Sequence, residues 1–299
     1  MEDNMNFLPM YYFTVVTEKE SINKAAQKLH ITQQTLSAHM AAIEKELNCT
    51  LFYRRPRFSL TYAGEKFYQY ARGFIRMYDT MLKEFADISG SESGTISVGI
   101  GHTRSRVLMP EILPSFCREY PFIQVNIKEQ RNDTLLQNLF DGNADLIIGD
   151  IPRDMPEIEV RPLYREKMQL VIPKSLLHGE FSPSALGELP FILGAPHDIA
   201  GRIGREFLKQ HGAVPPAAAS SDNMETILAM CLRGAGASFC SDLILHETLS
   251  REDLDKLLVI PLKSEFEIKI AWLRREYLPR HMALFIQHAE NNLAELYSS

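Results

Sequence analysis

Two neighbouring stretches near the N-terminus carry apolar residues at helical spacing. Between positions 36 and 47 the apolar residues recur at intervals of 4, 3 and 4, which places them on one face of a helix. Residues 22–29 form a shorter face of the same kind. Ser21 and Thr32 stand directly before these stretches, where a hydroxyl accepts hydrogen bonds from the free amides of a first helical turn. The pattern predicts a helix-turn-helix motif over residues 21–47.

The face of the second helix opposite its apolar stripe is unusually small and neutral. It carries Gln34, Ala38 and Ala41 before the first charge at Lys45. Small side chains let a helix enter a groove of DNA, a glutamine amide matches an adenine edge, and methyl groups match thymine methyls. The pattern favours a helix that reads the major groove. The alternative is an ordinary amphipathic surface helix.

A basic segment follows the motif. A preceding helix is predicted over residues 5–18, and after position 50 two short apolar segments, 51–53 and 57–60, enclose Arg54 and Arg55. These segments predict the two strands of a wing beside the second helix. Arginines at such a position suit contact with phosphates or with a narrow minor groove.

A long helix is predicted next, over residues 61–87, with Thr61 as its cap. Its apolar residues repeat at intervals of 4, 3, 4, 3, 4 and 3 from Phe67 to Ile88, which is the spacing of a coiled-coil seam. This spacing predicts a homodimer formed through the helix. The alternative is a helix that lies along the core of its own domain.

The pattern changes after a Gly/Ser-rich linker at residues 89–94. Strands and helices then alternate, which predicts a mostly parallel sheet. The predicted strands are 95–100, 124–129, 145–149, 168–172, 237–239 and 267–272; the predicted helices are 105–119, 133–140, 199–210, 223–233 and 279–297. We interpret them as two α/β lobes joined by two crossovers, with a ligand site between the lobes at the carboxyl ends of strands.

Composition narrows the classes of function. The 299-residue chain is 45% hydrophobic and 23% charged, with a net charge of −6. Residues 1–90 carry a net +1 and the remainder −7, so the overall acidity does not exclude nucleic-acid binding by the first part. The four cysteines form no CxxC pair, and no stretch resembles a membrane span or export signal. We expect a cytoplasmic protein with reduced thiols and no membrane partner.

Motifs of catalysis are missing from the sequence. There is no GxSxG, P-loop, HExxH or GxGxxG after a strand, so we expect neither an enzyme nor a cofactor. His281 and His288 share one helical face without a third ligand nearby, and we expect no metal site there. The competing class is a two-lobed solute-binding protein, which would account for residues 91–299 but not for residues 1–90.

The segments AAQKLHITQQTLSAHMAAIEKELNCTLFYRR, LTYAG, GTISVGI, MPEILPSFCREYP and LFDGNADLIIGD resemble the LysR-type bacterial transcriptional regulators. The resemblance implies an α/β protein with a winged helix-turn-helix at 1–62, a dimerising linker helix at 63–90 and an effector domain at 91–299. That domain is expected to resemble type 2 periplasmic binding proteins, with lobe I at about 91–162 and 267–299 and lobe II at about 163–266. Members usually form tetramers on imperfect dyad sites in double-stranded DNA and respond to a small-molecule effector.

The resemblance also suggests site residues. Those expected to contact DNA are Asn23, Thr32, Gln33, Gln34, Thr35, Ser37, His39, Arg54, Arg55 and Arg57. Gln34 stands where proline is common in the family, and Ala38 where a cation is common, so we expect distinct base preferences.

The expected effector residues are Thr103, Arg104, Ser105, Asn132, Asp150, His197 and Asn223. Because the strand 95–100 runs into a helix at this point, free amides and the positive end of the helix dipole favour an anion, such as a carboxylate. The alternative is that Thr103 only caps the helix and Arg104 faces solvent.

Cys231 and Cys240 raise the question of peroxide sensing, which some family members perform with a cysteine pair. In those members the pair precedes the helix that matches residues 223–233, whereas Cys231 falls within that helix. We therefore expect buried structural thiols.

Overall fold

The computed structural model describes residues 7–53, 58–88, 93–275 and 277–297. The chain divides into two compact units, residues 1–91 and 92–299. The predicted wing arginines at 54, 55 and 57, and most of the predicted linker, lie outside the described residues.

Helices dominate the first unit. Its elements are α1 (Phe7–Lys19), α2 (Ile22–Leu29), α3 (Gln33–Glu46), β1 (Phe52–Tyr53), β2 (Ser59–Leu60) and α4 (Tyr62–Ile88). Three hydroxyls cap helices as predicted: Ser21 accepts from the Lys24 amide, Thr32 from the Thr35 amide and Thr61 from the Gly64 amide. Strands β1 and β2 pair in antiparallel register, as expected of a wing.

Aromatic rings form the centre of this unit. Phe13 lies 4.8 Å from both Phe52 and Phe67, measured between ring centroids, and all three side chains are buried. Each of α1, α2 and α3 is followed by a residue with positive φ that is not glycine: Glu20 after α1, His30 after α2 and Asn48 after α3. The helices therefore end at left-handed residues without help from glycine.

The structure divides the apolar stripe of α4 into two parts. Phe67 and Ala71 are buried in the core of their own unit. This part of the helix therefore lies along the core of its own domain, which was the alternative to a coiled-coil seam. From Phe74 onward the stripe is open: Phe74, Tyr78, Met81 and Phe85 are 41–64% exposed. One end of the predicted seam thus belongs to the core, and the other remains a surface.

The second unit alternates strands and helices. Its elements are β3 (Gly94–Gly101), α5 (His102–Glu119), β4 (Ile123–Gln130), α6 (Leu135–Phe140), β5 (Leu146–Gly149), β6 (Ile158–Pro173), β7 (Phe191–Gly194), α7 (Ile199–Gln210), β8 (Ala217–Ser221), α8 (Met224–Leu232), β9 (Ser238–Ser241), α9 (Asp242–Thr248), α10 (Arg251–Leu254), β10 (Leu257–Leu273) and α11 (Arg280–Tyr297). Short 3₁₀ turns occur at 132–134, 174–176 and 183–187.

The expectation of a mostly parallel sheet is wrong. The six-stranded sheet has the order β4-β3-β5-β10-β6-β9, and only β4, β3 and β5 run parallel to one another. Strand β10 is antiparallel to both of its neighbours, and β9 is antiparallel to β6. A separate pair, β7 with β8, is parallel. The chain leaves the first lobe along β6 and returns to it along β10, so these two strands run in opposite directions.

The predicted crossovers between the lobes are two long strands. Strands β6 and β10 were predicted as 168–172 and 267–272, but they have 16 and 17 residues and run through both lobes. Their pairing shifts register between Pro261 and Glu265 and again between Ile268 and Lys269. Only the most apolar parts of these strands gave a recognisable pattern, because charged residues occupy the middle of both strands where they pass between the lobes.

Four further elements escaped prediction: β7, β8, α9 and α10. Each is short, and β8 has the sequence AAASS, which carries no strand pattern. Among the described helices, none is long and apolar enough to cross a membrane.

Candidate functional sites

The exposed face of α3 is the first candidate site. Gln33, Gln34, Thr35 and Ala38 are exposed. The opposite face, formed by Leu36, Met40 and Ile43, is completely buried in the core of the unit. The helix is therefore held by one face, and its small, uncharged face points to solvent.

Capping restricts two of the predicted DNA-binding residues. The Thr32 hydroxyl accepts from the Thr35 amide at 3.1 Å and lies 2.8 Å from the Thr35 hydroxyl. Both hydroxyls are thus engaged at the start of α3, although both side chains remain exposed. Thr32 fixes the end of the helix that carries the glutamines.

The other predicted residues lie around this face. Asn23 is exposed near the start of α2, and Ser37 is half-buried. The half-buried His39 ring packs edge-on against Tyr12 of α1, with ring centroids 5.1 Å apart. His39 therefore lies at the border between the exposed face and the contact with α1.

The second candidate site is a cavity of about 460 Å³ in the second unit, between the two lobes. Lobe I contributes residues 101–104 and 129–132, and lobe II contributes residues near 194–200, 221–227 and 240–244. Its polar lining includes Thr103, Arg104, Asn132, His197 and Asn223, all predicted from sequence. Its apolar lining includes Met168, Ile199, Ala200, Ile227, Ile244 and Phe266. The structure brings five of the seven predicted effector residues together here.

Four helices begin at this cavity. Asn223 caps α8 by accepting from the Thr226 amide at 2.9 Å, and Ser241 caps α9 by accepting from the Ile244 amide at 3.4 Å. Helix α5 follows Gly101 and has no side-chain cap, and the Asp198 side chain makes no capping hydrogen bond to α7. The first amides of α5 therefore border the cavity without a capping side chain, and a helix N-terminus attracts negative charge.

Arg104 points inward rather than to solvent, but its charge is already matched. Its Nη2 donates to Glu166 Oε1 at 2.7 Å and its Nε donates to the Tyr164 hydroxyl at 3.1 Å. Burial disfavours the charge, yet Glu166 and Tyr164 outweigh burial and raise the pKa of Arg104 above its ordinary value. Burial raises the pKa of Tyr164 as well, so the phenol stays protonated.

A hydrogen bond between the lobes closes one side of the cavity. Asn132 Nδ2 donates to Asp198 Oδ1 at 3.1 Å, and burial raises the pKa of this half-buried aspartate. Gly101 makes room for this contact, because a Cβ there would lie 2.6 Å from Asn132 Oδ1. The absence of a side chain at Gly101 thus leaves the space that the Asn132 amide group occupies.

Charged pairs reinforce the closure. Arg131 of lobe I approaches the His197 ring at 3.0 Å and Asp222 at 3.8 Å, while it holds Asp133 of its own lobe at 3.0 Å. On another side, Arg106 of α5 contacts Glu225 at 2.8 Å. The two lobes are therefore pinned together by polar contacts on more than one side of the cavity.

Two predicted effector residues do not line the cavity. Ser105 follows Thr103 by two helical positions, so it faces away from the cavity, and it is buried. The pKa of Glu129 is lowered chiefly by its hydrogen bond with His102 and also by Ser105. Asp150 is held at the lobe junction by Arg202 at 2.5 Å and Lys269 at 3.7 Å. The expectation that these two residues face the effector site is therefore not met by the geometry.

Sequence reasoning missed most of the apolar lining and Ser241. Ser241 is followed by an aspartate and three apolar residues, which is the signature of a capped helix, but the helix is only seven residues long. Phe266 lies just outside the predicted strand 267–272, and Met168 begins the predicted strand 168–172, but no local pattern placed either residue at the cavity. These residues reach the cavity through pairing between distant segments.

Cys231 and Cys240 show no sign of reactivity. Burial raises the pKa of Cys231 to about 12, and burial also raises the pKa of Cys240 well above its ordinary value. Both side chains are fully buried, although Cys240 contributes to the cavity lining. Thiols that stay protonated are poor nucleophiles, in agreement with a structural role. The described residues include no group of three or more His, Cys, Asp or Glu side chains that could hold a metal ion.

An exposed recognition helix in one unit and a two-lobed cavity in the other define a DNA-binding transcriptional regulator with an effector-binding domain. Comparison with known families specifies which one. Residues 9–65 match the bacterial regulatory helix-turn-helix protein, lysR family, and residues 89–294 match the LysR substrate binding domain. The chain belongs to the LysR family of transcriptional regulators, and this is not a family of enzymes.

Individual relatives agree with this membership. The chain is 26% identical to the uncharacterised HTH-type transcriptional regulator YcgK of Bacillus subtilis, over 81% of this chain and 82% of that protein. Full-length OxyR of Pseudomonas aeruginosa has a TM-score of 0.70 at 20% identity, covering 98% of this chain and 96% of that one. CbnR in complex with its target DNA has a TM-score of 0.66 at 21% identity, covering 96% and 100%. These structural likenesses concern the fold.

Proposed function

We propose that the chain reads DNA through the N-terminal half of α3, with Gln33, Gln34 and Ser37 in the major groove. The observation that supports this proposal is the exposed, uncharged face of a helix whose other face is buried. Glutamine side chains there offer a donor and an acceptor to a base edge. The arginines at 54, 55 and 57 contact phosphates or the minor groove and supply affinity that does not depend on sequence.

Two substitutions separate these roles. Gln34→Ala is expected to relax base preference at one position of each half-site and cost about 1–3 kcal/mol at the preferred base. Arg55→Ala is expected to weaken all sequences alike and lower the salt dependence. Binding is measured by fluorescence anisotropy on a duplex that the wild-type protein selects from a random pool, and on its single-base variants. An equal, uniform loss in both variants would contradict the division of roles.

We further propose that the effector is a small carboxylate carried on an apolar body. The cations at the cavity are each engaged with a carboxylate of the protein, Arg104 with Glu166 and Arg131 with Asp133. The binding of an anion therefore rests on the uncapped amides of α5 and the Thr103 hydroxyl. The apolar lining and a volume of about 460 Å³ leave room for the rest of the molecule.

Thermal-shift screening of the full chain tests the effector class. Libraries of carboxylates and of amines are compared on wild type, Thr103→Val and Ser105→Ala. We expect carboxylates to stabilise wild type and Ser105→Ala, and to lose most of their effect in Thr103→Val. Because Asp198, Asp222 and Glu129 also line the cavity, the amines are the opposing arm. Stabilisation by amines alone would overturn the assignment.

We also propose that two chains pair through the open part of the α4 stripe and that dimers assemble into tetramers on DNA. The exposed aromatic and methionine side chains from Phe74 to Phe85 support this. A charge at Met81 would be buried without a partner in such a dimer. Sedimentation of Met81→Glu should show a smaller particle than wild type, whereas Gln69→Glu, exposed and outside the stripe, should not. An unchanged mass for Met81→Glu would place pairing elsewhere.

A further inference from the structure

The first strand of the wing is fixed to the recognition helix by one carboxylate. Glu44 lies in the last turns of α3, and its Oε1 accepts from the backbone amides of Leu51 at 2.8 Å and Phe52 at 3.3 Å. Those two amides stand at the start of β1. A charge-assisted hydrogen bond to a backbone amide is stronger than a neutral one. One oxygen thus joins the reading helix to the wing.

The same strand is fixed from its other side by the start of α4. The Thr61 amide donates to the Leu51 carbonyl at 3.0 Å, and the Thr61 hydroxyl donates to the Thr50 carbonyl at 2.7 Å. Gly64 closes the arrangement, because a Cβ there would lie 2.1 Å from the Leu51 carbonyl oxygen. The backbone at position 51 is therefore held between α3 and the start of α4. These contacts leave little space for β1 to shift.

We propose that Glu44 is a positioning residue for DNA binding, which fixes the start of β1 to the recognition helix. Glu44 itself touches no base in this proposal; its carboxylate holds the strand that precedes the arginines at 54, 55 and 57. The inference rests on the proposed contact between those arginines and DNA. The residue assigned this role, Glu44, carries a negative charge, and a negative charge by itself opposes the approach of DNA.

Charge and position predict opposite results, so substitution at Glu44 is informative. Removing a carboxylate beside DNA should by charge alone tighten binding. We expect the reverse for Glu44→Ala: binding by the full chain weakens about tenfold, and the slope of log affinity against log salt falls by about 1. Glu44→Gln keeps an oxygen that accepts from the amides and should restore much of the affinity. Glu46→Ala is the matched control, because it removes an exposed carboxylate from the same helix; binding should be unchanged or tighter.

A second perturbation approaches the strand from α4. Gly64→Ala places a methyl group against the Leu51 carbonyl and should displace β1 without touching α3. We expect the same fall in salt slope as for Glu44→Ala, while discrimination by Gln34 at its base is kept. Circular dichroism of each variant verifies that the helices persist; should Glu44→Ala fail to fold, Glu44→Gln and Gly64→Ala carry the test.

A double-mutant comparison decides between positioning and general stability. Arg55→Ala should cost much less affinity in the Glu44→Ala background than in wild type, because the wing is already displaced. Two results would overturn the inference, provided that Arg55→Ala alone still weakens binding. One is additive losses in the double variant; the other is an affinity of Glu44→Ala equal to or tighter than that of wild type. If Arg55→Ala has no effect in wild type, the proposed wing contact fails and the inference fails with it.

Discussion

The two units are held together in different ways. In the first unit, the caps of α2, α3 and α4 each join residues three positions apart, such as Ser21 with Lys24. In the second unit, polar contacts join residues far apart in sequence: Ser97 with Asp145, Arg104 with Glu166, and Arg106 with Thr248, which are 48, 62 and 142 positions apart. The caps of the first unit thus join near neighbours in sequence, whereas these contacts of the second unit join distant segments.

The two functions are therefore vulnerable at different kinds of position. Loss of a cap in the first unit disturbs one turn of one helix, whereas a substitution at the cavity disturbs contacts between lobes. The chain offers a selective probe, because its single tryptophan, Trp272, is buried in the second unit. Its fluorescence reports unfolding of that unit alone.

The largest effect is expected at the buried ion pair. Glu166→Gln leaves the Arg104 charge buried without compensation, which should lower the free energy of unfolding of the second unit by about 3–5 kcal/mol. Urea denaturation followed by Trp272 fluorescence measures the loss. Glu265→Gln is the control on the neighbouring strand: its carboxylate is half exposed and lies 3.7 Å from Lys167, so we expect about 1 kcal/mol or less. Equal losses of unfolding free energy in the two variants would show that the buried pair of Glu166 with Arg104 contributes no more than the exposed pair.

A smaller effect is expected at the helix caps, and it should stay within its own unit. Ser21→Ala removes the acceptor for the Lys24 amide and should cost the first unit about 1 kcal/mol. Hydrogen–deuterium exchange should accelerate in α2 while the Trp272 transition stays unchanged. The reciprocal control is Ser250→Ala, which removes the cap of α10 in the second unit and should affect that unit only. A shift of the Trp272 transition by Ser21→Ala would show that the units do not unfold separately.

The smallest effect concerns Asp198 and pH. Because burial raises the pKa of Asp198 in the folded state, the ionised carboxylate destabilises the fold near neutral pH. That cost disappears as the pH falls through the raised pKa. Asp198→Asn keeps an oxygen that accepts from Asn132 and should add about 0.5 kcal/mol or less at neutral pH. Denaturation curves followed by Trp272 should show this gain over wild type at neutral pH and no gain near pH 4, where the Asp198 carboxyl of wild type becomes protonated. An equal difference between the two proteins at both pH values would exclude Asp198 as its source.

The contrast between the units also explains what the sequence could predict. The helix-turn-helix, its caps and the two wing strands follow from spacing and from the residue that precedes each helix, and the structure has them at nearly the predicted positions. These features depend on contacts within a few residues. The junction of β3 with α5 was predictable for the same reason, because a strand pattern there passes directly into a helix pattern, although α5 begins at His102 and not at the predicted position 105.

The cavity was less predictable because its geometry depends on pairing. No local pattern indicates that Arg104 pairs with Glu166, or that β6 and β10 run as continuous strands through both lobes. Ser105 was misplaced because its hydroxyl, although in the right turn of α5, faces β4. The spacing of apolar residues correctly predicted the long helix α4. Spacing alone does not show which part of the stripe the core of the first unit covers.

The pairing of β6 with β10 has a mechanical consequence. Between the two register shifts, four residue pairs join 164–167 to 265–268. A regular ladder resists bending, whereas an irregularity in a ladder bends locally. The crossing between the lobes is thus a stiff link with a compliant joint at each end. Arg104 grips this link through Tyr164 and Glu166. A displacement of the start of α5 would therefore reach the link through Arg104, and would pass to lobe II along the two paired strands.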